Sequence, residues 1–183
     1  MSKTWRETII MLAIAVVVYL ALRFSIQTYI VYGPSMEPNF TEDEWIIVNK
    51  LAYKLGDIHR GDIIVFYPPI SPNQRFIKRV IAFPGESVEV KNGKVIVYKT
   101  DGTVLTLDEP YIKYPATHNS VKRTVPEGHY FVMGDNRDNS EDSRDGWYAA
   151  SEKIVGKAWI DVWPPSRWGT AFNYVLPSAA VLK

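Results

Sequence analysis

Residues Ile9 to Leu22 read IIMLAIAVVVYLAL, a charge-free run of 14 bounded by Arg6-Glu7 and Arg23. A helix needs about 20 residues to cross the hydrocarbon core of a bilayer. Trp5 and Thr8 before the run and Phe24-Ser25-Ile26 after it supply that length, with the Arg23 side chain snorkelling to the headgroups. The β-branched pair Val17-Val18 is no obstacle, because in lipid the backbone hydrogen bonds decide the conformation. The pattern predicts one transmembrane helix within residues 1–27. A cleaved secretory signal is a competing reading, but no small-x-small site follows Leu22, where the chain continues Arg23-Phe24-Ser25-Ile26-Gln27-Thr28-Tyr29. A buried core helix is the other. Lys3 and Arg6 favour a cytoplasmic N-terminus with the rest of the chain outside, a bias that Glu7 and Arg23 dilute.

Past the apolar run the pattern changes to short alternating segments. Trp45–Val48, Asp62–Tyr67, Phe76–Ala82, His129–Met133 and Ile154–Trp163 are rich in β-branched and aromatic residues, the second closing at Pro68-Pro69 and the third at Pro84-Gly85. Ser87–Lys91 and Lys94–Tyr98 flank Asn92-Gly93, whose readiness for positive φ predicts a type I′ hairpin. Asp101-Gly102 opens a further turn before Val104–Leu107. Many short strands separated by turns predict a mainly β protein with a compact antiparallel, barrel-like core. The expected organisation is the anchor segment 1–27, a β domain over 28–175 carrying a polar β insertion at 86–127, and a tail over 176–183.

Composition narrows the function. Hydrophobic residues make up 46% of the 183, ordinary for a globular protein, so the membrane reading rests on the local run alone. Lys plus Arg is 21 against 20 for Asp plus Glu, and this near-balance argues against nucleic acid as a partner. Cysteine is absent, which excludes disulfides, a thiolate nucleophile and Cys-based metal sites.

Two short segments carry candidate chemistry. Ser35 lies in Gly33-Pro34-Ser35-Met36-Glu37-Pro38, where the flanking prolines restrict the backbone and present the hydroxyl from a stiff turn. Lys78 lies in Phe76-Ile77-Lys78-Arg79-Val80-Ile81. Strict alternation sets Phe76, Lys78 and Val80 on one face and Ile77, Arg79 and Ile81 on the other, so one basic residue shares a face with apolar neighbours. Burial of Lys78 would lower its pKa and make it a general base; a snorkelling surface lysine is the alternative. His59, His118 and His129 lie in polar or turn-like surroundings outside any G-x-S-x-G elbow. In the polar segment 134–145, Asp135, Asn136, Asp138, Asn139 and Asp142 have the chemistry of calcium ligands. Arg137 and Arg144 are interleaved, however, and the closing Glu of the known loop is missing. Internal Asp–Arg pairing is the expectation, with no metal and no cofactor.

These segments, with Arg60-Gly61-Asp62-Ile63-Ile64-Val65-Phe66, the continuation to Ala82-Phe83-Pro84-Gly85 and the run Gly134-Asp135-Asn136-Arg137-Asp138-Asn139-Ser140-Glu141-Asp142-Ser143-Arg144, resemble type I signal peptidases. These are membrane-bound serine proteases with a Ser–Lys dyad. The resemblance implies Ser35 as the acylated nucleophile, Lys78 as its general base and Ser140 as the hydroxyl that orients the lysine. It implies that Asp142 and Arg144 hold the site's geometry by ion pairing. Some members place a hydroxyl two residues before the nucleophile as an oxyanion donor. Gly33 stands there in this chain, leaving the Ser35 backbone N–H as the donor expected.

The implied activity is removal of signal peptides from exported preproteins at the membrane surface. The partners are the preprotein and the phospholipid bilayer. The location implied is a bacterial cell membrane, crossed once, with the N-terminus cytoplasmic and the β domain extracytoplasmic. Val31, Met36, Ile77, Val80 and Phe131 are the expected apolar lining for small substrate side chains. Some of Tyr32, Trp45, Phe66, Tyr67, Pro68 and Phe83 are expected to form an apolar rim against the membrane. Two further readings stay open: a LexA-like self-cleaving Ser–Lys enzyme, and a membrane-tethered β scaffold in which Lys78 would be exposed and remote from Ser35.

Overall fold

A computed structural model of the chain describes residues 3–171. The tail expected at 176–183 and the end of the β domain at 172–175 lie outside the described residues. Helix α1 (Lys3–Ser25) is 23 residues long, about 35 Å at 1.5 Å per residue, enough for the hydrocarbon core. None of it is buried, and its best 18-residue window has a mean hydropathy of 2.2. Ile26, expected to prolong the helix, instead begins strand β1 (Ile26–Ile30) and pairs with Asn49. Ser25 closes the helix by donating its hydroxyl to the Ala21 carbonyl at 2.5 Å. The alternating sequence Ile-Gln-Thr-Tyr-Ile then suits a strand edge better than a further helical turn.

The strands that follow are β2 (Trp45–Asn49), β3 (Ile63–Phe66), β4 (Phe76–Ala82), β5 (Ser87–Lys91), β6 (Lys94–Tyr98), β7 (Val104–Thr106), β8 (Ser120–Thr124), β9 (His129–Met133), β10 (Ala149–Ala150), β11 (Ile154–Trp163) and β12 (Gly169–Thr170). A short helix α2 (Ala52–Leu55) follows β2. The larger sheet runs β1-β2-β11-β3-β4-β9-β10, with β12 on β11, and every pairing is antiparallel. Residues 87–124 build a second sheet in the order β7-β6-β5-β8. Its β5–β6 hairpin turns on Asn92 at φ 51° and Gly93 at φ 76°, the positive dihedrals of a type I′ turn. Val88, Val90, Val95, Val97 and Leu105 of this sheet pack with Phe131 and Met133 of β9, joining the two sheets by one core.

Strand β4 runs through the middle of the larger sheet and is buried from Lys78 onward. Both of its faces are covered, so alternation did not leave one basic residue in water: Lys78 is 3% exposed and Arg79 fully enclosed. A charge enclosed this way must be paired. Arg79 donates from Nε and Nη2 to Asp135 at 2.9 and 2.6 Å, and from Nη1 to the Gly61 carbonyl at 2.8 Å. Its guanidinium also stacks 3.9 Å from the Tyr111 ring.

The same two-sided burial corrects part of the expected membrane rim. Phe66 and Pro68 are interior residues, with Phe66 packed against Trp147. Tyr32 and Trp45 are exposed, by 74% and 46%.

Two acids are buried next to each other in the sheet, Glu44 just before β2 and Asp161 on β11 opposite Ile46. Glu44 Oε1 accepts from Thr41 Oγ1 and is ion-paired with Arg167 Nε, each at 2.7 Å. Glu44 Oε2 and Asp161 Oδ1 have no hydrogen-bond partner among the described residues. Burial first, and the Glu44 carboxylate second, push Asp161 from its ordinary 3.8 up to about 7. A raised carboxyl pKa stabilises the fold at low pH and costs stability as pH climbs through the folded value. Asp161→Asn is therefore expected to stabilise the protein by about 1–3 kcal/mol at pH 8 and by much less at pH 5. Thermal unfolding in detergent at the two pH values checks this; an equal effect at both would contradict it.

Candidate active site

Residues 31–40 form a tight loop between β1 and β2, fastened at each end. The Val31 N–H donates to the Glu44 carbonyl at 2.8 Å, and the Phe40 N–H to the Met36 carbonyl at 3.0 Å. Met36 and Phe40 plug the core at 0% and 1% exposure. Gly33 turns the chain at φ 77°, and the Glu37 N–H closes on the Pro34 carbonyl at 3.1 Å. Ser35 is thereby held half-exposed beside a buried anchor.

A second loop grips this turn from the side. Asn136 donates its N–H to the Ser35 carbonyl at 3.0 Å and its Nδ2 to the Pro34 carbonyl at 3.1 Å. Arg167 donates to the carbonyls of Pro38 and Asn39 at 3.1 and 2.7 Å. Sequence reasoning gave Arg167 no part in the site and saw Asn136 only as a cation ligand. Neither has a neighbouring residue pattern that announces a partner about a hundred positions away.

Lys78 reaches the loop from β4, where it pairs with Ile64 of β3. Its Nζ lies 2.5 Å from Ser35 Oγ. Burial lowers the amine from 10.5 to about 8; Asp142, Asp135 and Glu141 oppose that fall and Arg144 adds to it. Half of the lysine is then neutral at pH 8, so its lone pair is available to the Ser35 proton. A scaffold with a degenerate site would leave Lys78 exposed and distant, which is the reverse of this geometry.

Ser140, implied by the resemblance to orient the lysine, makes no hydrogen bond to it in this structure. Its Oγ is buried with no hydrogen-bond partner among the described residues, and the Lys78 amine is bonded to Ser35 instead. Ser140 lies against Gly134, where an added Cβ would meet Ser140 Oγ at 2.2 Å and the Ser35 carbonyl oxygen at 2.4 Å. Glycine is required there because the two loops touch through its missing side chain. Gly134→Ala must push the Ser35 turn away from Lys78. We expect kcat to fall roughly tenfold to a hundredfold and stability by about 1–3 kcal/mol. Steady-state kinetics with a denaturation curve checks both, and wild-type kcat would contradict the packing.

Asp142 and Arg144 are joined as expected. Arg144 donates from Nε and Nη2 to the two Asp142 oxygens, each at 2.8 Å. Asp142 also accepts the Gly134 N–H at 3.0 Å, so the ion pair fixes the glycine that separates the loops. The remaining acids of this segment serve protein donors: Asp135 serves Arg79, and Asp138 accepts the Thr117 N–H at 3.0 Å. Among the described residues no group of three or more His, Cys, Asp or Glu is placed to hold a metal.

Ser35 and Lys78 open onto a cleft of about 730 Å³ whose walls are residues 27–35 and residues 73–78, with Glu141 at its edge. Val31 and Ile77 line it. Met36, Val80 and Phe131 do not: all three are fully enclosed core residues, because their positions fall on the inward side of loop and strands. Among the described residues, strand β1 pairs only with β2, and the Phe76–Lys78 half of β4 pairs only with β3, since its pairing with β9 begins at Arg79. Two strand edges with unused backbone groups therefore border the cleft. The Ser35 N–H makes no hydrogen bond among the described residues.

A hydroxyl in contact with a buried amine, beside strand edges able to hold an extended chain, is the apparatus of a Ser–Lys peptidase. Comparisons with known proteins identify the family. A probable signal peptidase I-1 of Synechocystis is 39% identical over 97% of this chain and 92% of its own length. Signal peptidase IB of Staphylococcus aureus is 33% identical over 94% of this chain and 97% of its own. A signal peptidase I structure from Enterococcus faecalis V583 is 32% identical, covering 56% of this chain and 97% of that one, with a TM-score of 0.46. The family model described as signal peptidase, peptidase S26, matches residues 3–163, and the chain belongs to that family.

Proposed function

We propose that the chain removes signal peptides from exported preproteins, with Ser35 as nucleophile and Lys78 as general base. The observation that carries this reading is the 2.5 Å approach of Lys78 Nζ to Ser35 Oγ at the floor of a cleft edged by unpaired strand. A preprotein adds itself as an extended strand, its main chain bonding to the free edges of β1 and β4. The neutral amine of Lys78 takes the Ser35 proton as Oγ attacks the scissile carbonyl, and the free Ser35 N–H meets the oxyanion. Gly33 offers no side-chain donor, so a second donor comes from water. The ammonium of Lys78 then returns its proton to the departing amine. A water deprotonated by the same lysine hydrolyses the ester, and its proton ends on Ser35.

Asp142 and Arg144 act at one remove, holding Gly134 and through it the Ser35 turn. Ser140, which packs against Gly134, is the hydroxyl that orients the lysine during turnover. Helix α1 anchors the protein in a bacterial cell membrane, crossing once with its N-terminus cytoplasmic and the β domain outside. The exposed Tyr32 and Trp45 sit near the cleft and suit a lipid interface.

The cleavage assay uses detergent-solubilised protein and a preprotein whose leader ends Ala-x-Ala, with the new N-terminus mapped by mass spectrometry. One cut directly after that motif is expected, lost when the alanine before the cut is replaced by leucine. Cutting at unrelated positions, or indifference to the leucine, would contradict the proposal.

A further inference from the structure

Arg75 is an exposed cation on the wall of the cleft, and the mechanism does not use it. Its guanidinium lies 5.2 Å from the centroid of the Tyr29 ring and 5.2 Å from that of Tyr67. Tyr29 comes from β1, Tyr67 from the residue after β3, and Arg75 from the residue before β4, so residues of two other elements flank its side chain. No carboxylate pairs with it among the described residues. Aromatic faces attract a guanidinium without using its in-plane N–H donors. Held this way, Arg75 loses little further rotamer freedom when an acceptor arrives. It is a pre-organised fork of donors with nothing of its own to bind.

Its place along the cleft says which part of a substrate it meets. Both walls run back from Ser35 and Lys78, one along 27–35 and the other along 73–78. The first wall is β1, which follows α1 with no residue between them. The apolar leader of a preprotein occupies the same bilayer as α1, so the leader side of the substrate lies on this limb. Arg75 is three positions before Lys78, about 10 Å at about 3.3 Å per residue of strand. A substrate strand with its scissile carbonyl at Ser35 sets its fourth or fifth residue before the cut against Arg75.

Resting on the reading above, we propose that Arg75 is a specificity-determining residue of the leader side. It favours a carboxylate four or five residues before the scissile bond and rejects a cation there. Peptides that differ only by Asp, Ser or Lys at those two positions, all ending Ala-x-Ala before the cut, provide the test at low ionic strength. With the parent protein, kcat/KM is expected to favour Asp over Lys by about tenfold, the size that one partly screened charge contact gives when attraction is replaced by repulsion. Arg75→Gln should bring that ratio to near one, Arg75→Glu should invert it, and Arg75→Lys should keep its sign. Cleavage of the Ser peptide should change less than about threefold across the series, which also reports an intact fold. An unchanged Asp-to-Lys ratio in Arg75→Gln, with the Ser peptide still cleaved, overturns the inference alone. A parent protein that cleaves none of the three peptides overturns the Ser–Lys reading and this inference with it.

Discussion

Ser35→Ala is expected to reduce cleavage of an Ala-x-Ala presequence by at least about a thousandfold, while substrate affinity stays within a factor of about three. The side chain removed is one hydroxyl on a half-exposed turn. The turn itself is kept by Met36 and Phe40 in the core and by Asn136 on its carbonyls. Strand addition uses β1 and β4, which the substitution does not touch. The loss therefore falls on the chemical step, and single-turnover rates with separately measured binding will show it. Parent-like turnover in Ser35→Ala would remove this serine from the mechanism.

Lys78→Met carries the second large effect, and it has two signs. Turnover falls by about a hundredfold to ten-thousandfold or more, because among the described residues Lys78 is the group bonded to Ser35 Oγ that can take its proton. Stability should rise. The folded lysine titrates at about 8 instead of 10.5, so the unfolded chain holds the proton more tightly than the fold does. Between those values stability climbs with pH, and below about 8 the full cost of enclosing an ammonium remains. Methionine of similar shape escapes that cost, and a gain of about 1–3 kcal/mol at pH 7, shrinking toward pH 10.5, is expected. Denaturation of both proteins at pH 7 and pH 10 measures it; a destabilised Lys78→Met at pH 7 would contradict the burial argument.

How far the sequence alone carries the structure depends on the range of the interaction behind each feature. The anchor is a local run of apolar residues, and the β5–β6 hairpin rests on two turn residues between alternating strands, so both are legible. Strand β8 is different. Ser120-Val121-Lys122-Arg123-Thr124 has a strand's length but little of its apolar pattern, and it exists because β5 offers an edge to it. Strand β1 was hidden by its continuity with α1 for the same reason.

In the site, Ser35 and Lys78 were marked by motif and strand alternation, but their meeting depends on β4 lying beside the 31–40 loop. Alternation also misled where it assumed a wet face. A sheet covered on both sides buries Lys78 and Arg79 alike, and encloses Val80 and Phe131 where a lining was expected. Gly134 and Asn136 sat inside a recognised segment. Their work of letting two loops touch and tying them through carbonyls is visible only as distances.

The proposed base requires the Lys78 ammonium to be a stronger acid than that of an ordinary lysine, so that it gives up its proton near neutral pH. The most direct measurement is the titration of its side chain in the resting protein, followed by NMR of a ¹³C-labelled lysine assigned through Lys78→Met. The amine should titrate near 8, and the acidic limb of kcat/KM should fall at the same pH. A side chain that stays protonated up to its ordinary value near 10.5 would contradict the proposed base.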